Sequence, residues 1–260
     1  MVKKIDAILR EMTPITLEEM KTIRLMDRID TKFVANIAVL PDLLKKMKPH
    51  FRVQIQNEVI VAPYTTQYFD THDLGMFTMH QNGKLNRQKI RIRSYTNAGL
   101  SFLEIKNKNN KGRTSKKRVQ INQPSVQSIN EFQEKTNFLD EGSIFPIELL
   151  TPSLSNSFSR ITLVNNRKTE RITVDVNLSF LNENTGKAVS LDDLVILELK
   201  QDGWQHSDFR DILQELRIKK NSFSKYCVGT VLTNPDVKYN RFKCRLININ
   251  KIKQNDSVRL

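Results

Sequence analysis

Basic and apolar residues alternate along one stretch of this chain, from Lys84 to Arg118, and this alternation limits the possible folds more than any other feature of the sequence. The stretch has 35 residues and holds 12 of the 42 lysines and arginines, but a single acid, Glu104. Its basic residues recur at every second position, as in Arg87, Lys89, Arg91 and Arg93. Because successive side chains of a β-strand point to opposite faces of a sheet, the sequence predicts strands with one charged and one apolar face.

The same alternation recurs in other segments of strand-like composition. The predicted strands are 26–37, 52–62, 64–71, 86–96, 100–109, 115–122, 157–165, 170–180 and 193–201. Helical spacing or capping predicts helices at 3–24 (interrupted at Thr13-Pro14), 39–48, 125–139, 146–155, 207–217 and 222–232. The further charged positions on these strands are Arg28, Asp30, Lys32, Lys106, Lys108, Lys116, Arg118, Arg160, Arg171, Asp175, Glu198 and Lys200. The basic segment after Pro235 is poorly patterned, and no element is predicted there.

An antiparallel sheet with its charged side in water is the common cause of such alternation. Two features favour a different arrangement. An exposed face usually mixes both signs of charge, whereas lysine and arginine dominate here. Helices are also interleaved with the strands, and they must cover the apolar side. We therefore predict an α+β fold: a closed antiparallel β-barrel, forming a tunnel, with a basic interior and helices packed outside.

The overall charge indicates an anionic partner. The net charge is +14 and the isoelectric point is near 9.8, which suits nucleic acid, phosphorylated small molecules, polyphosphate or an anionic membrane surface. Cys227 and Cys244 lack the spacing of a disulfide framework or a zinc site. The N-terminal residues are too polar for a signal peptide, and no apolar run is long enough to span a membrane. We expect a cytoplasmic protein.

Two acids stand among the basic positions and require an explanation. Glu104 and Glu198 would repel bound phosphates unless a divalent cation lay between them, and Mg²⁺ or Mn²⁺ suits carboxylate and phosphate oxygens. The alternative is a cross-strand pair between each glutamate and a neighbouring lysine. The sequence favours a metal ligand at Glu198 and leaves the two interpretations balanced at Glu104.

Several segments resemble the VTC domain, a member of the triphosphate tunnel metalloenzyme (CYTH-like) superfamily. These segments are DRIDTKF, YFDT, NRQKIRIRSY, FLEIK, KGRTSKKR, FSRITL, ERITVDVNL, ILELK and SFSKYCVG, in the order of that family. The resemblance implies an antiparallel β-barrel tunnel. It also implies a polyphosphate polymerase that transfers the γ-phosphate of ATP to a growing chain with a divalent cation.

The resemblance also implies roles for individual residues. The residues that match the family's catalytic tunnel positions are Lys32, Arg91, Arg93, Lys106, Lys116, Arg160 and Arg171. Glu198 matches the metal-coordinating glutamate, with Glu104 as a second candidate. The candidate substrate-binding residues are Arg28, Lys89, Lys108, Arg118, Lys200, Ser224 and Lys225. The implied partners are ATP and inorganic polyphosphate, with a membrane protein as a further partner and no nucleic acid.

One departure from the superfamily bears on the reaction. Its hydrolases and cyclases begin with an ExExK pattern, whereas this chain has Arg28, Asp30 and Lys32 at these positions. The loss of one glutamate favours the polymerase over a tripolyphosphate or nucleoside triphosphate hydrolase. A non-catalytic binding module is a third alternative, but a single-strand binder would interleave more aromatic residues with the basic ones. The expected organisation is a helical lead-in (1–23), a tunnel domain (24–232) and a basic tail (233–260).

Overall fold

The computed structural model describes residues 2–21, 23, 28–129, 136–203 and 205–254. Over these residues, eleven strands form one sheet. The strands are β1 (Pro14–Thr16), β2 (Arg28–Asn36), β3 (Phe51–Ile55), β4 (Ala62–Thr71), β5 (Arg87–Tyr95), β6 (Leu100–Lys108), β7 (Thr114–Ile121), β8 (Leu150–Asn165), β9 (Glu170–Asn182), β10 (Ala188–Leu191) and β11 (Leu194–Asp202). The helices are α1 (Val2–Arg10), α2 (Leu17–Lys21), α3 (Leu40–Met47), α4 (Gly75–Gln81), α5 (Thr136–Asp140), α6 (Asp208–Glu215), α7 (Lys225–Thr233) and α8 (Asn240–Gln254).

Neighbouring strands in the main path of the sheet are antiparallel, in the order β2-β11-β9-β8-β4-β5-β6-β7. Outside this path, β10 pairs with β9, and β3 joins β8 to the parallel strand β1. The predicted α+β class and antiparallel sheet are confirmed.

The predicted closure of the barrel is not found, because no pairing joins β2 to β7 among the described residues. The sheet curls instead, so that Lys32 and Glu198 near one end face Lys106 and Lys108 near the other across a common cleft. Both edges carry basic side chains, and a closed ladder would bring like charges side by side, which disfavours closure. We call the curled, charged side the inner face.

The outer face is apolar and is covered by helices, as predicted. Ile172, Val174, Leu197 and Leu199 are inaccessible to solvent there, and they belong to one core with residues of α1, α3 and α6. Phe209 of α6 is inaccessible and lies edge-on to two further aromatic rings of this core. A second outer core covers β5 and β6 with Val126, Ile129, Leu139 and Ile147.

Helix α7 departs from the prediction that all helices pack outside. Its residues Tyr226, Cys227 and Val228 are buried in a core with Ile196 and Phe158, which share the inner face of the sheet with the charged residues. The helix is apolar on nearly all sides, as expected for an internal helix. It therefore closes one end of the inner face and confines the charged residues to the other.

The remaining differences lie in short or ambiguous segments. The helix predicted at 146–155 is wrong: after a short 3-10 turn at Ile147–Leu149, this segment begins the long strand β8. Of the helix predicted at 125–139, only α5 is present, and residues 130–135 lie outside the described residues. The segment after Pro235 contains α8. Its Phe242 and Ile249 are buried in the same core as Tyr226 and Ile196.

Candidate functional site

Glu198 of β11 is held between two lysines on the inner face. It lies directly opposite Lys32 of β2, whose Nζ is 2.5 Å from Glu198 Oε1. The other carboxylate oxygen, Oε2, is 3.3 Å from Nζ of Lys200. Although burial raises the pKa of Glu198, the charges of Lys200 and Lys32 outweigh it and hold the pKa well below its usual value. Glu198 is therefore a carboxylate at neutral pH.

Asp175 of β9 forms a second group with two cations. Arg160, directly opposite on β8, donates from Nε to Oδ1 at 2.6 Å and from Nη2 to Oδ2 at 2.8 Å. Lys225, at the start of α7, contacts the same Oδ2. Asp175 is buried, but these charges lower its pKa in spite of the burial. A bidentate pair of this kind fixes the plane of the guanidinium.

Glu104 of β6 forms the third group. Arg91, opposite on β5, approaches Oε2 with Nε and Nη2 at 2.8 Å, and Lys116 of β7 contacts Oε1. Burial raises the pKa of Glu104, but the charges of Arg91, Arg93 and Lys116 lower it to about 2. Both glutamates thus form ion pairs across neighbouring strands, the arrangement that the sequence left open as the alternative to metal binding.

Further cations on the inner face contact no carboxylate within the described part of the chain. Arg93 is surrounded by protein, and its buried Nε has no hydrogen-bond partner among the described residues. The pKa of Lys106 is lowered to about 8, first by desolvation and then by the charges of Arg91, Lys32 and Lys89. Lys89 donates to Ser224 Oγ at 2.8 Å. These groups form an uncompensated concentration of positive charge.

We call the charged residues of the inner face that surround Glu104, Asp175 and Glu198 the inner cluster, which leaves out Asp30, Lys108, Arg118 and Arg171. It consists of Lys32, Lys89, Arg91, Arg93, Lys106, Lys116, Arg160, Lys200, Lys225, Glu104, Asp175 and Glu198. Nine of these twelve residues are basic and three are acidic. Confined like charges repel strongly where the effective dielectric constant is low, so the cluster is built to accept a multivalent anion.

Aromatic rings support several of these cations. The guanidinium of Arg91 lies 5.9 Å from the ring centre of Tyr68, and the Lys225 ammonium lies 4.3 Å from that of Phe158. These cation–π contacts add to the ion pairs of Arg91 with Glu104 and of Lys225 with Asp175, and they favour the charged forms. The cations are therefore oriented before a ligand arrives.

The inner cluster opens into a cleft of about 970 Å³. Lys32 and Glu198 form one wall of this cleft, and Lys89, Lys106 and Lys108 form the other. We call it the lower cleft. It is large enough to admit a chain of phosphate groups to the inner cluster.

Eleven of the sixteen predicted site residues belong to the inner cluster, and Ser224 adjoins it through Lys89. The other four are placed as follows. Arg171 donates to the backbone oxygen of Met20 at 3.3 Å, near the end of the sheet away from α7. Arg118 is exposed and lies 4.7 Å from the ring centre of Phe102. Lys108 lies in the wall of the lower cleft. The side chain of Arg28 falls outside the described residues.

Sequence reasoning did not assign a role to Asp175. It also missed the buried contact between Tyr226 and Asp70, which anchors α7. Asp175 alternates with Arg171 on β9, so its place on the charged face could have been read as a partner for Arg160. The hydroxyl of Tyr226 contacts Asp70, which is inaccessible and accepts further bonds from the backbone nitrogens of Met76 and Phe77. No local sequence signal links these distant positions.

The donor set of the inner face sets limits on metal binding. Among the described residues, no group of three or more histidine, cysteine, aspartate or glutamate side chains could hold a cation by itself. Glu198 and Asp30 both line the lower cleft. A site with one or two protein carboxylates fits Mg²⁺, which takes its other oxygens from phosphates and water. Both carboxylate oxygens of Glu104 are in contact with Arg91 or Lys116, which leaves less room for a metal ion there than at Glu198.

In the part of the chain that the structure describes, no helix has the length and apolar character needed to cross a membrane.

The chain thus has a curled antiparallel sheet whose inner face is predominantly basic. The family model of the VTC domain matches residues 27–234, so this chain belongs to the VTC domain family. The match covers every residue of the inner cluster.

Solved structures of similar fold were also found. A candidate adenylate cyclase from Bacillus halodurans is 16% identical with a TM-score of 0.48, covering 76% of this chain and 96% of that chain. A protein from Pyrococcus horikoshii is 14% identical with a TM-score of 0.44, covering 78% and 98%. A protein from Hippeastrum, reported to have a dominant triphosphatase activity, is 13% identical with a TM-score of 0.46, covering 82% and 100%. The search of curated proteins gave no match.

Proposed function

We propose that this protein is an ATP-dependent polyphosphate polymerase, which transfers the γ-phosphate of ATP to a growing chain of inorganic polyphosphate. The observation that carries the proposal is the uncompensated charge of the inner cluster, above all at two residues. Arg93 has a buried Nε without a hydrogen-bond partner among the described residues, and desolvation and neighbouring cations lower the pKa of Lys106. Such groups require an anion with several closely spaced charges. Membership of the VTC domain family favours a polyphosphate chain as that anion.

Binding and orientation account for most of the work expected of the protein in phosphoryl transfer. Arg91, Arg93 and Arg160 present planar guanidinium groups to the phosphate oxygens, while Lys106 and Lys116 add compact charges. Because the carboxylates of Glu104 and Asp175 fix two of these guanidinium groups, little reorganisation is needed when the substrate binds.

The chain itself supplies the nucleophile in this proposal. An oxygen of its terminal phosphate attacks the γ-phosphorus of ATP, the bond from that phosphorus to the β-phosphate oxygen breaks, and ADP leaves. No serine, cysteine or histidine nucleophile is needed. Lys106, Arg91 and Arg93 would offset the charge that develops on the transferred group and on the leaving oxygen.

Glu198, with Asp30 beside it in the lower cleft, is the carboxylate we assign to Mg²⁺ or Mn²⁺. When bound there, such a cation would reduce the repulsion between the two polyanionic substrates. Glu198 could coordinate the cation once phosphate oxygens replace it as the ion-pair partner of Lys32 and Lys200. At Glu104 the two ion pairs favour a positioning role for that carboxylate.

We extend the proposal to the organisation and setting of the protein. Residues 24–232 would form the catalytic unit, with ATP and polyphosphate as partners. A cytoplasmic location is proposed, with a membrane protein as a further partner that would take up the product.

A single incubation tests the reaction. Purified protein is mixed with ATP and Mg²⁺ or Mn²⁺, and the products are followed on a polyphosphate gel and by release of free phosphate. Long chains with ADP would support the proposal. Orthophosphate without chains would indicate a hydrolase, and neither product would indicate a binding module; both results would overturn it.

The Glu198→Gln variant tests the metal assignment. It keeps the shape of the side chain but removes the charge, so chain synthesis is expected to fall by at least about a hundredfold. Glu215→Gln is the matched control, because Glu215 is an exposed carboxylate paired with Lys46, outside the inner cluster. Full synthesis by Glu198→Gln would contradict the assignment of the cation to this residue.

A further inference from the structure

A second group of basic side chains lies beside the lower cleft, outside the inner cluster. It joins Arg87 of β5 to Arg241 and Arg245 of α8, with His80 of α4 between them. Arg87 and His80 line the lower cleft. The proposed phosphoryl transfer gives none of these four residues a role.

Close packing fixes the position of Arg241. A Cβ atom added to Gly83 would lie 2.4 Å from Nη1 of Arg241, so the guanidinium rests directly on the backbone that follows α4. Gly83 has a φ of +72°, a conformation that glycine adopts at little cost. The Arg241 side chain as a whole is nevertheless exposed, so an anion can reach it.

Arg245 and His80 are held by contacts with an aromatic ring. The guanidinium of Arg245 lies 5.2 Å from the ring centre of Phe242, and the ring of His80 lies 5.6 Å from it at a steep angle. His80 Nδ1 is 3.0 Å from the sulfur of Cys227. Helix α8 thus packs against His80, which lines the lower cleft.

Positive charge is not balanced at this point. Burial lowers the pKa of His80 to about 3, assisted by the charges of Lys89, Arg87, Arg245 and Arg241, so the imidazole is neutral at pH 7. Burial also lowers the pKa of Arg245, and Arg241 and Arg87 add to this effect. These charges repel one another in the absence of an anion.

A solvated basic helix face is the simpler interpretation of α8, but two features disfavour it. The helix contains five lysines and arginines and no acid from Asn240 to Gln254. Arg241 and Arg245 are also four residues apart, a spacing at which like charges destabilise a helix. Both features are explained if an anion lies between α8 and the lower cleft.

We propose that Arg87, Arg241 and Arg245 form a second anion subsite, which binds phosphate groups of a polyphosphate chain where the chain passes through the lower cleft. The identity of the ligand rests on the proposed polymerase function. Helix α8 lies beyond residues 27–234, so two of the three arginines lie outside the matched VTC domain. In this proposal the inner cluster holds a tripolyphosphate without the three arginines, whereas a longer chain continues to them.

The test compares ligands of different length on the full chain, without any reaction. Binding of tripolyphosphate and of long-chain polyphosphate is measured for the wild type and for the double variant Arg241→Gln/Arg245→Gln. We expect the affinity for the long chain to fall about tenfold and the affinity for tripolyphosphate to change less than about twofold. The salt dependence of long-chain binding should also flatten, because fewer counter-ions are released.

Two further variants separate specific binding from general charge and from folding. Lys243→Gln/Lys251→Gln removes the same charge from exposed positions of α8 and should leave both affinities near the wild-type values. Arg241→Lys/Arg245→Lys restores the charge and should recover most of the long-chain affinity. Thermal unfolding of each variant identifies those that fail to fold.

The outcomes distinguish this proposal from the proposed function. Equal losses in the two glutamine variants, or equal losses for both ligands, would overturn the subsite. Binding of single-stranded nucleic acid and of anionic lipid vesicles is measured in the same way. If Arg241→Gln/Arg245→Gln lost affinity only for one of these and not for polyphosphate, polyphosphate would be overturned as the ligand of the subsite. If the protein made no polyphosphate from ATP but the length-dependent loss remained, the subsite would stand and the polymerase proposal would fail.

Discussion

Glu104 shows how the inner cluster keeps charged groups inside a folded chain. It is 1% exposed, yet Arg91 and Lys116 compensate for its burial and keep it ionised. A buried carboxylate with such partners stabilises the fold only while it remains charged. The contribution of Glu104 to the free energy of unfolding can therefore be measured as a function of pH.

Glu104→Gln is expected to destabilise the fold in a pH-dependent way. The pKa of Glu104 is about 2 in the fold, against an ordinary value of 4.5. Because the folded pKa is depressed, the contribution of Glu104 is complete above about pH 5 and is lost as the pH falls towards about 2. The free energy of unfolding of the variant should be lower by about 3 kcal/mol at neutral pH, and the difference should shrink in acid.

Urea unfolding between about pH 7 and pH 3 measures this difference. The control is Glu215→Gln, which breaks an exposed pair with Lys46 and should cost no more than about 1 kcal/mol. If the difference in unfolding free energy between wild type and Glu104→Gln stayed constant with pH, the stabilisation would not come from the ionised carboxylate of Glu104.

Lys106 is expected to make anion binding sensitive to mildly alkaline pH. Desolvation and the charges of Arg91, Lys32 and Lys89 lower its pKa to about 8, so it begins to lose its proton just above neutrality. Tripolyphosphate should therefore bind less tightly as the pH rises from about 7 to about 9. In Lys106→Arg, which stays charged, this decline should be smaller.

The informative quantity is the ratio of the two affinities, since the titration of tripolyphosphate and of other lysines affects both proteins alike. Lys117→Arg provides the control. Lys117 is exposed on the opposite face of β7 from Lys116. Parallel pH profiles for wild type and Lys106→Arg would show that Lys106 does not titrate in this range.

At the scale of elements, α7 determines where the charged part of the inner face ends. Ser224 caps its first turn by accepting from the Cys227 nitrogen, and it also accepts from Lys89. Lys225 extends from the same end to Asp175. A displacement of α7 would therefore move two groups of the site.

Gly229→Ala tests this dependence, because two effects oppose each other at this position. Alanine normally stabilises a helix by about 1 kcal/mol relative to glycine. Here the added Cβ would lie 2.5 Å from Phe180 and 2.7 Å from Leu154. Overpacking of this kind costs about 1–3 kcal/mol and forces the helix to shift. We expect a net loss of stability and weaker tripolyphosphate binding.

Chemical unfolding and binding measurements give both quantities, and a second substitution identifies the cause. Phe180→Leu makes room for the added methyl group, so the double variant with Gly229→Ala should be more stable than the sum of the single effects predicts. Simple additivity would show that the contact with Phe180 is not the source of the loss.

The parts of the site that the sequence predicts are those that depend on strand periodicity. The predicted strands 86–96, 100–109 and 115–122 agree with β5, β6 and β7 to within one residue at each end, because alternation and turn residues act locally. Periodicity also predicted correctly that Arg91 and Glu104 share a face. It could not predict that α7 lies on that face, because this depends on packing between residues far apart in the chain.

Ambiguous local signals explain the errors. The segment 146–155 is apolar without clear alternation, and such a run is compatible with either a helix or a buried strand. The structure makes it a strand because Leu150 to Leu154 pairs with Tyr68 to Thr71 along β4. Closure of the barrel likewise depends on how two distant edges meet, which alternation within each strand does not determine.

For the whole molecule, an open sheet with a surplus of positive charge predicts that a multivalent anion will stabilise the fold. The inner cluster has nine cations and three carboxylates, and the repulsion among the cations opposes the curl that brings β2 towards β6. An anion that binds the folded state alone adds about 2.7 kcal/mol of stability at a hundred times its dissociation constant. Tripolyphosphate should therefore raise the unfolding temperature well beyond the effect of sodium chloride at the same ionic strength.

Hydrogen exchange locates the effect and completes this prediction. The edge strand β7 is largely exposed along its length, so its backbone amides are expected to exchange early in the free protein. Tripolyphosphate should slow exchange in β2, β6 and β7, because it draws the two ends of the sheet together through Lys32, Lys106 and Lys116. Screening alone would act on all charged surfaces alike. Equal stabilisation by chloride, or slower exchange spread evenly over the molecule, would show that general screening rather than binding in the inner cluster holds the curled sheet.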